Sequence, residues 1–163
     1  MAARDLQFFN AMGGSEERLS YALGANQSIF EGEPVVVAAS GLASECGDDP
    51  STVDGIAAHR SRDVDNRAFT GGRRLTVNGV SPDQIFKTKN FATDGAGTLA
   101  VPDTTHIGDL GGLTLSGGVW YVDTGTANDI LMVTGVRDVS GRDVLDPLIS
   151  AGTGVYVLFK FLP

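Results

Sequence analysis

A single cysteine, Cys46, leaves this chain without an intrachain disulfide and without a metal cluster of the CxxC kind. Histidine is nearly as scarce. His59 and His106 are the only two, and neither stands in a metal-binding spacing such as HExxH. No apolar run approaches the roughly 18 residues that a membrane-crossing helix needs. The first fifteen residues include Arg4 and Asp5 and hold no apolar run of signal-peptide length. The expected location is therefore the cytosol, unless the protein leaves as part of a particle. Bases are also in deficit, 12 against 20 acids for a net charge of −8, which argues against nucleic acid as a partner because phosphate contacts need a basic face.

Catalytic patterns are missing too. There is no GxSxG nucleophile elbow, and Gly95 and Gly97 open a GxG that meets Ala100 where a third glycine would stand. Cys46 shares an acidic loop with Glu45, Asp48 and Asp49, and neighbouring carboxylates raise a thiol's pKa and blunt its nucleophilicity. His106, beside Thr104 and Thr105, reads as a loop residue rather than a base. Asp48, Asp49 and Asp54, or Asp63 and Asp65, lack the spacing of an EF-hand loop. The expectation is a protein with no catalytic residues, no cofactor and no metal.

What the chain does have is glycine, 22 residues of it, scattered singly and in pairs at 13–14, 71–72, 111–112 and 117–118. That spacing fits many short strands joined by tight turns, and 163 residues suffice for one domain with a real core. The organising stretch is 31–58. It opens on the turn Glu31, Gly32, Glu33, Pro34 and enters the apolar run Val35–Ala39. It then breaks at Ser40-Gly41 and, after a polar loop, returns as a second short strand over 52–58. Three consecutive valines favour a buried strand.

Further strands are expected over 74–80, ended by the hairpin dipeptide Asn78-Gly79, and over 98–101, stopped by Pro102. Others follow at 113–115 and 119–123 around Gly117-Gly118, then at 130–136 and 154–162. In the last, Val155, Val157, Phe159 and Phe161 share one face and Tyr156, Leu158 and Leu162 the other, so both sides must be covered, by a core and by another layer or subunit. Ser15, Glu16, Glu17 and Gly24 carry helix-capping chemistry for two turns over 16–23. Ser81-Pro82-Asp83 starts a single further turn. The fold class is mainly β: a compact single-domain barrel or sandwich of about eight strands, at most two short helices, and an extended N-terminal arm. The arm is assigned to 1–28 and the β-rich domain to 29–163.

Two groups of residues are candidates for contact. The arm carries Leu6, Phe8, Phe9 and Met12 without a period that would fold them onto their own domain, which predicts docking on an adjacent subunit or on the surface of a larger assembly, and disorder in the isolated protein. Arg60, Arg62, Arg67, Arg73 and Arg74 fall within fifteen residues, with Lys87 and Lys89 soon after, and read either as a solvated loop or as a basic patch facing an acidic partner. Tyr156 and Leu158, on the second face of the last strand, complete the set.

Gly32, Pro34, Val35, Val36 and Gly41, followed after a loop by Gly55, Ile56 and Ala57, form a pattern that resembles the opening of tailed-bacteriophage capsid decoration proteins, also called cement proteins. WYVD at 120–123, ILMVTGV at 130–136 and the apolar end VYVLFKFL at 155–162 resemble that family's later strands, so the likeness spans roughly 26–162. The resemblance implies a β-tulip-like or jelly-roll-like topology. It also implies a place on the outside of a virion capsid, with the major capsid protein as partner, and a homotrimer on three-fold or quasi-three-fold positions. Neither nucleic acid nor membrane is an expected partner. The alternative class is a small β-barrel binding module for a soluble ligand or polymer.

Overall fold

A computed structural model describes residues 7–8, 18–27, 29–58, 74–81, 83–138 and 155–163. Among them are twelve strands in two sheets. One is a closed barrel made of β2 (Arg18–Leu23), β3 (Pro34–Val37), β4 (Leu42–Glu45), β5 (Gly55–Ala57) and β6 (Arg74–Gly79), in the order β2-β4-β3-β5-β6. The other has seven strands: β1 (Gln7–Phe8), β7 (Phe86–Thr88), β8 (Phe91–Ala92), β9 (Leu110–Ser116), β10 (Val119–Asp123), β11 (Leu131–Arg137) and β12 (Tyr156–Phe161). Their order is β1-β7-β12-β11-β9-β10-β8. The mainly β fold expected from the sequence is what is observed. Among the described residues the one helical element is a 3-10 turn at Thr104–His106.

The valine run explains how the two sheets meet. Val35 is fully buried inside the barrel with Ile29, Ala43, Ala57, Leu75 and Val77, while Val36 packs against the core of the seven-stranded sheet. A strand covered on both faces needs apolar residues at both parities. Ile56 and Val53, with Cys46, likewise reach out of the barrel into that larger core. Its centre is a trio of rings. Phe86 stacks on Phe159 at 5.8 Å between centroids and meets Phe161 edge-on at 5.6 Å, within the favourable range for aromatic pairs. Gly55 sits where β5 crosses β6 so closely that a Cβ would lie 2.9 Å from Val77 and from the Asn78 carbonyl oxygen.

Several expectations are corrected. The stretch 16–23, given capping chemistry for a helix, contains β2 instead. Arg18 to Ala22 pair antiparallel with β6, and Ala22 and Leu23 pair parallel with β4. The apolar positions Leu19, Tyr21 and Leu23 have the period of two that this ladder uses, and they line the barrel core. Residues assigned to the arm thus close the barrel. Asn78-Gly79 is no hairpin turn but the end of β6, opposite Ile56 and Gly55. Of the strand expected at 98–101 only an isolated bridge remains, Ala100 to Phe91. At Ser81 a turn does form, the Gln84 N–H donating to the Ser81 carbonyl at 3.0 Å.

The arm is corrected in part. Gln7 and Phe8 pair through their backbones with Lys87 and Phe86 of β7, so this piece lies on its own sheet. Leu6, Phe9 and Met12 lie outside the described residues.

A docked loop joins barrel to sheet. β9 pairs with β11 only at Leu110 and Gly111, and beyond them its edge is open. The β4–β5 loop fills that opening: the Asp48 carboxylate accepts the Leu115 N–H at 2.7 Å, and the Asn128 side-chain amide donates to the Asp49 carbonyl at 2.8 Å.

Candidate interaction surface

The contact residues read from the sequence do not converge on one site. Arg60, Arg62, Arg67 and Arg73 lie outside the described residues, as does His59. Arg74 is exposed at the start of β6 and spends its guanidinium on β2, Nε donating to Ser20 Oγ at 2.8 Å and Nη2 to the Ser20 carbonyl. It ties two barrel strands together. Leu158 is only 5% exposed. It stands opposite Gly135 of β11 and is buried within the single chain, so its burial needs no second subunit.

Tyr156 is half-buried and has acquired companions. Lys87 Nζ stands 5.0 Å and Lys89 Nζ 5.1 Å from its ring centroid, a cation–π arrangement with two ammonium groups on one ring. The register explains the gathering. Along β12, Val157, Phe159 and Phe161 turn into the core, so Tyr156, Leu158 and Lys160 lie on the opposite face, where Leu158 is buried and the other two half-buried. Directly opposite these stand Arg137, Gly135 and Met132 on β11, and Lys87 opposes Leu158 from β7. Met132 in turn opposes Leu110, which is 45% exposed. A bulge in β11 at Thr134 keeps Arg137 and Tyr156 on the same outward side. Among the described residues, the positions of three adjacent strands on this face carry the half-buried Lys87, Arg137 and Lys160, with the exposed Lys89 just beyond.

The opposite charge gathers on loops. Asp123 is fully buried, and its carboxylate accepts the N–H groups of Gly95 at 3.0 Å, Gly97 at 3.3 Å and Gly125 at 2.8 Å. That ties loop 93–98 to loop 123–130. Gly95 adopts φ +69°, and a Cβ on Gly125 would lie 2.6 Å from the Gly95 nitrogen, so only glycine fits the crossing. Asn128 then ties loop 123–130 to the β4–β5 loop. Asp48, Asp94 and Asp129 are exposed there, Asp49 half-buried, and residues 45–54, 93–98 and 123–130 contain no Lys or Arg. Hydrogen bonds from the Thr98 hydroxyl and then the Ala96 N–H hold Asp94 below the usual aspartate range, so it is charged at neutral pH.

Of the groups weighed as catalytic, Cys46 and His106 each have structural contacts. Burial, and then the nearby Asp54 carboxylate, push the Cys46 thiol up to about 12. His106 Nδ1 accepts the Asp103 N–H at 3.1 Å and its ring meets Phe91 edge-on at 4.9 Å. Asp103 is held below its usual range chiefly by the Thr105 hydroxyl, completing a capping box around the 3-10 turn. A cleft of about 270 Å³ lies where barrel meets sheet, lined by Glu33, Glu45, Cys46, Leu115 and Trp120.

The basic face was not legible as a unit, because its residues come from three strands far apart in sequence. Its one signal was Lys160 as the sole polar residue of the last strand, together with the alternation Lys87, Thr88, Lys89. No protein-family model matches the chain, and no curated protein matches it either.

Proposed function

We propose that this chain is a structural virion protein, a decoration or cement protein that binds the outside of a tailed-phage head. It bridges neighbouring capsomers of the major capsid protein and carries out no catalysis. The observation that carries this reading is the run Gly32, Pro34, Val35, Val36, Gly41, Gly55, Ile56, Ala57 with its later companions 120–123, 130–136 and 155–162. The first run supplies β3 and β5 of the barrel with the turns flanking β3, and the later segments supply β10, β11 and β12 of the sheet.

The energetics suit such a role. Each docked copy needs an interface of only about 1,000 Å² to be specific. A trimer engaging three equivalent sites gains effective concentration, so individually weak contacts retain it. Binding that favours the expanded shell stabilises that state by mass action.

The test is to strip the protein from heads and compare their survival of heating and osmotic shock with that of redecorated heads. Redecorated shells are expected to survive better. Equal survival would remove the cement role.

A further inference from the structure

We propose that the oxygens gathered over Gly112 form a calcium site, with Asp49 Oδ1, Thr126 Oγ1 and the Asn128 carbonyl as its protein ligands. The inference is independent of the capsid role proposed above.

The convergence is read from the glycine. Gly112 is buried on β9, and a Cβ built on it would stand against the Asn128 carbonyl oxygen, with Thr126 Oγ1 at 2.8 Å and Asp49 Oδ1 at 3.4 Å. The nearest atoms of other segments are thus three oxygens, brought by two loops to one point on the sheet.

Hydrogen-bond donors are short there. Asp49 Oδ1 is buried and has no hydrogen-bond partner among the described residues. The Thr126 hydroxyl has one proton to share between the Asp123 carbonyl at 3.2 Å and the Asn128 carbonyl at 3.3 Å. Thr114, two positions along β9 and so on the same face as Gly112, is 3% exposed, and its hydroxyl finds no partner either. A buried acceptor without a donor is costly, and most of all a carboxylate. The chain supplies no cation locally: β9, β10 and the loops 45–54, 93–98 and 123–130 contain no Lys or Arg. Asp48, Asp94, Asp123 and Asp129 stand in those same loops, and their summed field draws a positive ion.

The ligand chemistry selects the ion. A carboxylate, a hydroxyl and a carbonyl suit a hard cation, not the soft metals that take thiolate or imidazole. Among the described residues no three acidic, histidine or cysteine side chains gather, which is why such a mixed set escapes any reading of ligand spacing. Distance then separates calcium from magnesium. Ligands at right angles on a calcium shell of about 2.4 Å lie about 3.4 Å apart, against about 2.9 Å on the tighter magnesium shell. Thr126 Oγ1 and the Asn128 carbonyl oxygen are 3.3 Å apart. Water completes the shell, and a single carboxylate puts the affinity at the weak end, about 10⁻⁴–10⁻³ M. The ion clamps the β4–β5 loop to loop 123–130, beside the hydrogen bond from the Asn128 amide to the Asp49 carbonyl.

The experiment titrates calcium chloride into the full chain by calorimetry, and compares thermal unfolding in calcium with that in sodium chloride of equal ionic strength. One saturable site per chain is expected, and about 10 mM calcium should raise the melting temperature by at least about 3 °C. Asp49 holds φ +45°, a left-handed conformation that Asn also tolerates. Asp49→Asn should therefore melt no lower than the wild type without calcium, yet bind the ion at least about tenfold more weakly. Thr126→Val should weaken binding at least about threefold, and it carries the test should circular dichroism show Asp49→Asn misfolded. Asp129→Asn, at an exposed carboxylate next to Asn128, should leave binding within about twofold. A wild type with no saturable site up to about 10 mM calcium overturns the proposal, as does binding that Asp49→Asn leaves unchanged. Equal losses from Asp49→Asn and Asp129→Asn overturn it too, by showing that the acidic loops attract calcium diffusely. None of these results bears on the survival of decorated shells.

Discussion

Three backbone N–H groups converge on one buried carboxylate at Asp123, and this residue does more than any other to shape the acidic end of the molecule. Removing the acceptor leaves three N–H donors without their partner, that of Gly97 in a buried position. Asp123→Ala should therefore cost about 3 kcal/mol in urea unfolding; a loss below about 1 kcal/mol would mean that water replaces the carboxylate. Cys46 supports a prediction with a definite sign. With its thiol pushed up to about 12, only about one molecule in ten thousand carries a thiolate at pH 8. Alkylation of the native protein should be at least about 100-fold slower than of the urea-unfolded chain, and equal rates would show the thiol to be open. Because the folded value lies above the ordinary 9.0, its contribution to stability is complete below pH 9 and is lost as pH rises toward 12. Asp94 and Asp103 are shifted the other way. What they contribute is present above the ordinary aspartate value and disappears as pH falls through their depressed ones.

Among the elements, the β4–β5 loop ties barrel to sheet by hydrogen bonds, beside the packing of Val36 and Ile56. Asp48 occupies the edge that β9 exposes after parting from β11, much as an added strand would. Asp48→Ala should speed hydrogen exchange of the Leu115 amide at least about tenfold while leaving the barrel amides of β6 unchanged. Acceleration spread equally over both sheets would instead mean global destabilisation. Elements held by their own residues were legible. β3 shows in its valines, β9 and β10 in the paired glycines between them, and β12 in its double-sided apolarity. β2 was not, because Ser15, Glu16 and Gly24 offer helix caps locally, whereas the ladder that wins is supplied by β6, more than fifty residues later. Asn78-Gly79 misled for the same reason: the dipeptide permits a turn, but pairing with β5 uses the extended form. The pinning roles of Asp48 and Asp123 were illegible as well, since a carboxylate's partners here are backbone groups that carry no sequence signature. Of the interaction surface, Tyr156 was read directly. Lys87 and Lys89 were seen only as the tail of an arginine-rich run, because the strand order that carries them to Tyr156 is a property of the folded sheet.

At the scale of the molecule, the N-terminal segment carries the bridging prediction, its apolar Leu6, Phe8, Phe9 and Met12 suggesting an arm that reaches for a neighbour. Its residues 7–8 form β1 and pair with β7, which places them at the end of the seven-stranded sheet. A two-residue ladder contributes little, since a backbone hydrogen bond adds about 1 kcal/mol net. For a chain of this length 1 kcal/mol moves the melting temperature by roughly 2–4 °C. Deleting residues 1–14 should thus lower the melting temperature by only about 2–6 °C. The larger consequence is at β7, whose Phe86–Thr88 backbone would lose its cover and become an open sheet edge. Exchange of the Lys87 amide region should accelerate, and retention on shells should weaken at least about tenfold, or 1.4 kcal/mol. A melting temperature lowered by more than about 15 °C, with retention per folded molecule unchanged, would show that the segment belongs to the molecule's own core and bridges nothing.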